Sequence, residues 1–357
     1  MKPAREVGIV GWGAYVPQLR VKVEEIADMW GKPKERVKAS IRILEKSVPS
    51  MDEDTATMAV EAAQYAIQRA GIDPSLLGAV FIGTESKPYA VKPTSTIVAE
   101  AIGATPRVLA ADFEFACKAG TEAVQCCMAL VSSGMINYGM AVGVDTAQGA
   151  PGDDLEFSAA AGSAAIILGS GAESAAIITA SVSYVTDTPD FWRRPFEPYP
   201  RHAEAFTGGP AYFHHIVSAA KLLMDEIGST PKDYDHVIFH QPNGRFPVKA
   251  GSILGFRKEQ MQYGLVVDKI GNTYSASSLI GLCNVLDHAS PGERVLLVSY
   301  GSGAGSDAFD IIITELIEEK KRFAPLVSEL IGRRRCISYA VYGKHRGKFI
   351  LPSDKGG

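Results

Sequence analysis

Phe113-Glu114-Phe115-Ala116-Cys117-Lys118-Ala119-Gly120-Thr121 sets a thiol between a strand-like run and the start of an Ala-rich helix. A thiol at a helix N-terminus feels the positive end of the helix dipole, which lowers its pKa and makes Cys117 a candidate nucleophile. The competing reading is a small buried hydrophobe, the fate of most lone cysteines. Cys126, Cys127 and Cys283 fall inside helical patterns and take that reading, while Cys336, beside Arg333-Arg334-Arg335, reads as an edge thiol. His240-Gln241-Pro242 follows the apolar run Val237 to Phe239. A His at the carboxyl end of a buried strand can be a general acid/base or an oxyanion donor, or simply a hydrogen-bonded core residue. The other six His stand in helical or polar surroundings and are weaker candidates. Glu85 ends a second apolar run, Ile82-Gly83-Thr84-Glu85-Ser86. In an apolar cleft its carboxyl would have a raised pKa and serve as a base; at a solvated strand end it would not. Gly271-Asn272-Thr273-Tyr274 opens another helix, where Asn272 could hold a carbonyl, orient a His or cap the helix.

Ser299-Tyr300-Gly301-Ser302-Gly303-Ala304-Gly305 lacks both the P-loop and the dinucleotide patterns. It reads as a tight turn that lines a site through close backbone approach. No His, Asp or Glu cluster has metal-ligand spacing, and five Cys without CxxC spacing argue for a reduced, cytoplasmic setting rather than a disulfide framework. A net charge of -4 gives no reason to bind nucleic acid, and no run of about 18 apolar residues suggests a membrane span.

The elements that must position these residues alternate. Val7 to Val10 reads as a strand and Val23 to Trp30 as a helix. Asp54 to Ala70 carries an apolar stripe of helical period that Gly71 stops. Ala79 to Gly83 is an unbroken apolar strand, as expected for a strand covered on both faces. Helix-like Thr94 to Ile102, strand-like Val108 to Asp112, helix-like Thr121 to Ser132 and strand-like Tyr138 to Val144 follow, which predicts a layered α/β protein. The second part repeats the first: Gly71, Pro74 and Val80-Phe81-Ile82 recur as Gly228, Pro231 and Val237-Ile238-Phe239 at a constant offset of 157. Gly139 to Asp145 resembles Val295 to Gly301 at an offset of 156. The 357 residues thus read as an internal duplication, with Glu85 and His240 at equivalent strand ends and Cys117 opposite the Asn272 turn. Between the repeats, Asp187 to Pro210 holds five prolines with Trp192, Arg193, Arg194 and Arg201, and reads as a functional loop. The tail from Lys320 holds ten Lys+Arg against two Asp+Glu, a net of +8 on a body that then carries -12. That asymmetry fits a phosphate-bearing ligand, an acidic partner, or a solvated terminal helix with edge strands.

Taken in order, Thr84-Glu85-Ser86, the Cys117 segment, His240-Gln241-Pro242, Gly271-Asn272-Thr273-Tyr274 and Ser299 to Gly303 resemble the thiolase superfamily, and within it the archaeal hydroxymethylglutaryl-CoA synthases. The resemblance spans about Val7 to Ile313. It implies a thiolase-like α/β fold: two pseudo-symmetric halves, residues 1–170 and 171–357, in a layered αβαβα sandwich. Thiolases proper use a second catalytic Cys in the Gly-rich region, and Gly301 to Gly305 has none; ketoacyl synthases lack a Glu at the Glu85 position. The implied activity is an acyltransferase of the mevalonate route to isoprenoids, which condenses acetyl-CoA with acetoacetyl-CoA and water to give 3-hydroxy-3-methylglutaryl-CoA and CoA. Cys117 would carry the acetyl group, Glu85 would take the methyl proton, and His240, steadied by Asn272, would hold the ketone. Ser158, Thr207, Arg245, Lys249, Asn272 and Ser302 would contact the CoA thioesters. Ala205 stands where a basic CoA contact is expected, with Arg201 the nearby replacement. The resemblance further implies no cofactor or metal, a homodimer, and a complex with an acetoacetyl-CoA thiolase and a small zinc-ribbon/OB-fold scaffold protein. The alternatives are a ketoacyl synthase-like condensing enzyme and a non-catalytic acyl-CoA-binding scaffold.

Overall fold

The computed structural model describes residues 1–146 and 148–349. Its main sheet has nine strands, numbered here in chain order: β1 (Val7–Tyr15), β2 (Leu77–Gly83), β3 (Leu109–Phe113), β4 (Tyr138–Asp145), β5 (Gly162–Ser170), β6 (Ala176–Val185), β7 (His236–Phe239), β8 (Arg294–Val298) and β9 (Gly305–Ile313). The helices packed on it are α1 (Thr55–Ala70), α2 (Thr94–Ala101), α3 (Ala119–Ser133), α4 (His214–Ile227), α5 (Phe246–Leu254) and α6 (Ser277–His288).

The strand order is β7-β8-β9-β6-β1-β5-β4-β2-β3. One pattern of pairings occurs twice. β2 and β4 are parallel, β4 and β5 antiparallel, β5 and β1 antiparallel. Likewise β7 and β8 are parallel, β8 and β9 antiparallel, β9 and β6 antiparallel. Within the sheet the two wings are joined where β1 pairs β6 at Gly8↔Ile177 and Ile9↔Ala176.

Alternation along the strands divides the side chains between layers. Val80 and Ile82 pack under α1 and α2, whereas Ala79 and Phe81 join a central cluster with α3 and α6. In the other wing Ile238, Val295 and Leu297 face that central cluster, while Val237, Phe239, Leu296 and Val298 pack under α4 and α5. Helices therefore cover each wing outside, and α3 and α6 fill the space between the wings. This is the αβαβα layering of the thiolase-like fold.

Local sequence explains how the helices end. Asp54 caps α1: its carboxylate accepts from the Thr57 N–H while Thr57 Oγ1 accepts from the Asp54 N–H. Gly71 and Gly228 end α1 and α4 with φ of 68° and 69°, a conformation that favours glycine. Two buried groups tie the wings together. Arg69 on α1 reaches Asp287 on α6 at 3.1 Å, and the same carboxylate accepts from Trp12 Nε1 on β1 at 2.9 Å.

The basic tail is in part folded into the body. Arg335–Cys336 runs parallel to Leu19–Lys22, which pairs with Glu45–Val48 in a separate three-stranded sheet. Lys348 is held by Gly149 O and lies 3.5 Å from Glu156. The tail's residues 350–357 lie outside the described residues.

Candidate active site

β3 ends at Phe113 and α3 begins at Ala119, so Cys117 sits on the sharp turn between them. Ala116, just before it, has φ of 43°, a strained value for a residue with a Cβ. Two close approaches make the turn possible. A Cβ on Gly83 would stand 2.2 Å from the Ala119 backbone, and one on Gly301 would stand 2.4 Å from Phe115 O. The end of β2 and the Gly-rich turn are thereby pressed against the thiol segment from both sides.

Cys117 is 8% exposed and lines a cavity of about 110 Å³. That space admits several water-sized groups, or an acyl chain of a few carbons. His240, Asn272, Thr207, Ser302, Asp190 and Tyr300 are among its other walls. The helix-dipole expectation for the thiol does not hold in the resting protein. Burial, then the carboxylates of Glu85, Asp145 and Asp190, push the Cys117 pKa well up, against the opposing pull of its own backbone N–H. The dipole acts through one helix end, while desolvation and three carboxylates all disfavour the thiolate.

His240 leaves β7 where expected. Burial lowers its pKa to about 3, so the ring is neutral. Its carbonyl accepts from the Tyr212 hydroxyl at 2.6 Å, and its Nδ1 is buried without a partner among the described residues. Asn272 shares the cavity but makes no hydrogen bond to His240. Instead its Oδ1 accepts from the Tyr274 N–H at 2.9 Å, leaving the amide N–H groups as its donors. The expected steadying of His240 by Asn272 is thus not a direct contact here; Tyr212 holds the backbone of His240 in its place.

Glu85 does not line the same cavity. It borders an adjoining hollow with Gln148, Arg193, Phe191 and Ser302, and the last two are common to both spaces. Burial, then the charge of Asp145, push its pKa well up, with Arg193 opposing. Gln148 donates to its carboxylate at 3.2 Å, and Arg193 donates to its carbonyl at 3.2 Å.

The substrate-contact candidates divide. Thr207 and Ser302 face the cavity. Ser158 lies behind it, its carbonyl accepting from the Asn272 N–H at 2.8 Å. Arg245, just before α5, and Lys249, one turn into it, are exposed outside the cavity, where they suit a phosphate-bearing portion of a ligand. Arg201 is ion-paired with Glu197 at 2.7 Å, and Ala205 is exposed.

Sequence reasoning passed over Asp145, Asp190 and His202. Asp145 ends β4 and accepts from Thr84 Oγ1, the Glu85 N–H, Ser86 Oγ and the Ser275 N–H, which fixes the Glu85 turn against the start of α6. Its position at a strand end, like those of Glu85 and His240, was the available signal. Asp190 belongs to the Pro-rich loop, fully buried, and accepts from the Tyr300 hydroxyl at 2.6 Å and the Gly303 N–H at 2.9 Å. His202, from the same loop, lines the cavity 3.4 Å from Asp153. Nothing local in the sequence distinguishes these two.

Comparison with known proteins agrees with this architecture. Residues 224–309 match the family described as 3-oxoacyl-[acyl-carrier-protein (ACP)] synthase III C terminal. A crystal structure of an HMG-CoA synthase complexed with CoA superposes with a TM-score of 0.85 at 20% identity, covering 98% of this chain and 93% of that one. The 3-oxoacyl-(acyl carrier protein) synthase III of Pseudomonas aeruginosa gives 0.80 at 20% identity, covering 87% and 99%. Both show the fold. The hydroxymethylglutaryl-CoA synthase of Thermococcus kodakarensis is 58% identical over 352 residues, 98% of this chain and 99% of that protein. That of Methanosarcina barkeri is 59% identical over 343 residues, 96% and 98%. At that identity over nearly the whole length, the chain belongs to the hydroxymethylglutaryl-CoA synthase family.

Proposed function

We propose that this chain is an acyltransferase that condenses acetyl-CoA with acetoacetyl-CoA and water to give 3-hydroxy-3-methylglutaryl-CoA and CoA, a step of the mevalonate route. The observation that carries this reading is the meeting of Cys117, His240 and Asn272 in one small cavity, with Glu85 in the hollow next to it. Arg245 and Lys249 stand outside the cavity for the CoA phosphates, Thr207 and Ser302 line it for the thioester, and Ser158 supports Asn272 from behind.

The steps follow from the environments. The Cys117 sulfur bonds to the acetyl carbon while the bond to CoA sulfur breaks, and the thiol proton leaves with the CoA thiol. The raised thiol pKa makes a proton acceptor necessary, and the neutral His240 ring in the same cavity is the candidate for it. Glu85, whose raised pKa suits a base near neutral pH, then takes a proton from the acetyl methyl group. Backbone N–H groups around Cys117 and in the Ser299 to Gly305 turn stabilise the enolate. The carbanion attacks the ketone of acetoacetyl-CoA, whose oxygen is held by an N–H of neutral His240 and takes up a proton there, and the proton that Glu85 removed from the methyl group is given back to restore the neutral ring and the Glu85 carboxylate. Water finally cleaves the enzyme thioester, which returns Cys117 as a thiol. No step requires a cofactor or metal.

The test uses the unaltered protein and labelled acetyl-CoA. Acid-stable label should appear on Cys117, and acetoacetyl-CoA should chase it into 3-hydroxy-3-methylglutaryl-CoA. Unlabelled Cys117 would point to a non-catalytic acyl-CoA-binding scaffold. Label that is never chased into product would point to a different acyl acceptor.

The same reading divides the chain into halves 1–170 and 171–357, supported by the repeated pairing pattern of the sheet. It also assigns a homodimer, supported by β3, an edge strand with a free side in the single chain and Leu109 54% exposed. Sedimentation should therefore give twice the 38.1 kDa chain mass. A complex with an acetoacetyl-CoA thiolase and a small zinc-ribbon/OB-fold protein, in the cytoplasm, completes the proposal. Co-expression and sizing would return a free dimer if that complex does not form. Among the described residues no helix is long and apolar enough to cross a membrane.

A further inference from the structure

We propose that Lys118 is a positioning residue for acetylation, holding the nucleophile turn against the Gly-rich turn of the opposite wing. This inference rests on Cys117 being the acetylated residue. Lys118 follows it directly and is fully buried, an expensive place for a lysine unless its charge is matched. Its ammonium lies 3.1 Å from Asp307 Oδ1, also fully buried, contacts the Glu122 carboxylate, and sits 4.4 Å from the centre of the Phe115 ring.

Asp307 belongs to β9 and closes the hairpin that carries the Gly-rich turn. Its N–H donates to Ser299 Oγ at 3.2 Å, and the Ser299 N–H donates to its carbonyl at 2.9 Å. Its carboxylate also accepts from Thr121 on α3 at 2.7 Å and from Ser183 on β6 at 2.5 Å. Thr121 and Ser299 hydroxyls lie 2.7 Å apart. One buried network thus joins the residues just after Cys117 to both arms of the Ser299–Asp307 hairpin.

At the other end of that hairpin, Gly301 packs so closely that a Cβ would stand 2.6 Å from Lys118 Cβ. Ser302, next in the chain, lines the same cavity as Cys117. The Lys118–Asp307 pair therefore sets the separation between the sulfur and the wall that must receive the acetyl carbonyl. Near-attack geometry is sensitive at this scale, since a displacement of about 1 Å can cost on the order of 100-fold in rate.

Removing Lys118 alone would strand a buried carboxylate, so the informative variant is Lys118→Met with Asp307→Leu, which replaces the pair by apolar groups. Single-turnover acetylation by labelled acetyl-CoA, followed across acetyl-CoA concentrations, separates rate from binding. The double variant should melt near the wild-type temperature and half-saturate within about 3-fold of wild type, yet acetylate about 10–100-fold more slowly at saturation. Asp307→Asn keeps the shape of the side chain while removing its charge; it should slow acetylation about 3–10-fold with binding unchanged. If the double variant fails to fold, Asp307→Asn decides. Wild-type acetylation rates in either folded variant would overturn the proposal and leave the pair a purely structural one. Failure of the wild-type protein to take label would instead overturn the functional reading on which it rests.

Discussion

Cys117→Ala should abolish covalent acetyl label and lower condensation by on the order of 10⁴–10⁶-fold, the scale seen when a covalent nucleophile is removed. No other described thiol can take over. Cys127 and Cys283 are buried in the central core, and Cys336 is exposed on the three-stranded sheet. Burial also raises the pKa of Cys126, Cys127 and Cys283. Acid-quenched label followed by peptide mapping measures the first effect, and product formation measures the second. Label persisting on the variant would show that another residue carries the acetyl group.

Glu85→Ala should separate the two halves of the reaction. Acetylation persists, because the carboxylate is not needed to form the thioester and its charge opposes the Cys117 thiolate. Condensation should fall by about 10²–10⁴-fold, the usual contribution of a general base. The pH dependence carries a sign that can be checked. A base works in its ionised form, and the folded pKa of Glu85 is raised. Condensation by the wild-type protein should therefore fall as pH drops through a value above the ordinary carboxylate range of about 4.3. That acid limb should be absent from the residual activity of Glu85→Ala.

The same shift has a stability consequence. A carboxyl with a raised folded pKa costs nothing below the unfolded pKa, where both states are protonated, and a cost that grows as pH rises above that value and is complete above the folded pKa. Glu85→Gln should therefore raise the melting temperature at neutral or higher pH and leave it unchanged well below pH of about 4.3. Full condensation by Glu85→Ala would remove the synthase assignment and favour a ketoacyl synthase-like chemistry.

The sequence by itself determined the elements and the chemistry they carry. The apolar stripe of α1, its glycine stop and the unbroken strand at Ala79 to Gly83 are local signals, because burial period and backbone conformation are properties of neighbouring residues. The offset of 157 placed Glu85, Cys117, His240 and Asn272 at matching strand and helix ends. Only the tertiary structure decided the electrical state of those groups. Cys117 is a thiol of raised pKa rather than a ready thiolate, because residues 32, 28 and 73 positions away in the chain bring carboxylates to it and the wings exclude water from it. Burial likewise makes His240 neutral. Phe191, which with Ser302 of the Gly-rich turn stands between Glu85 and the acyl cavity, and the buried Asp190 come from a Pro-rich loop that has no period to read. Dielectric and packing depend on the whole surrounding volume, whereas the pattern of a strand or helix depends only on its own residues.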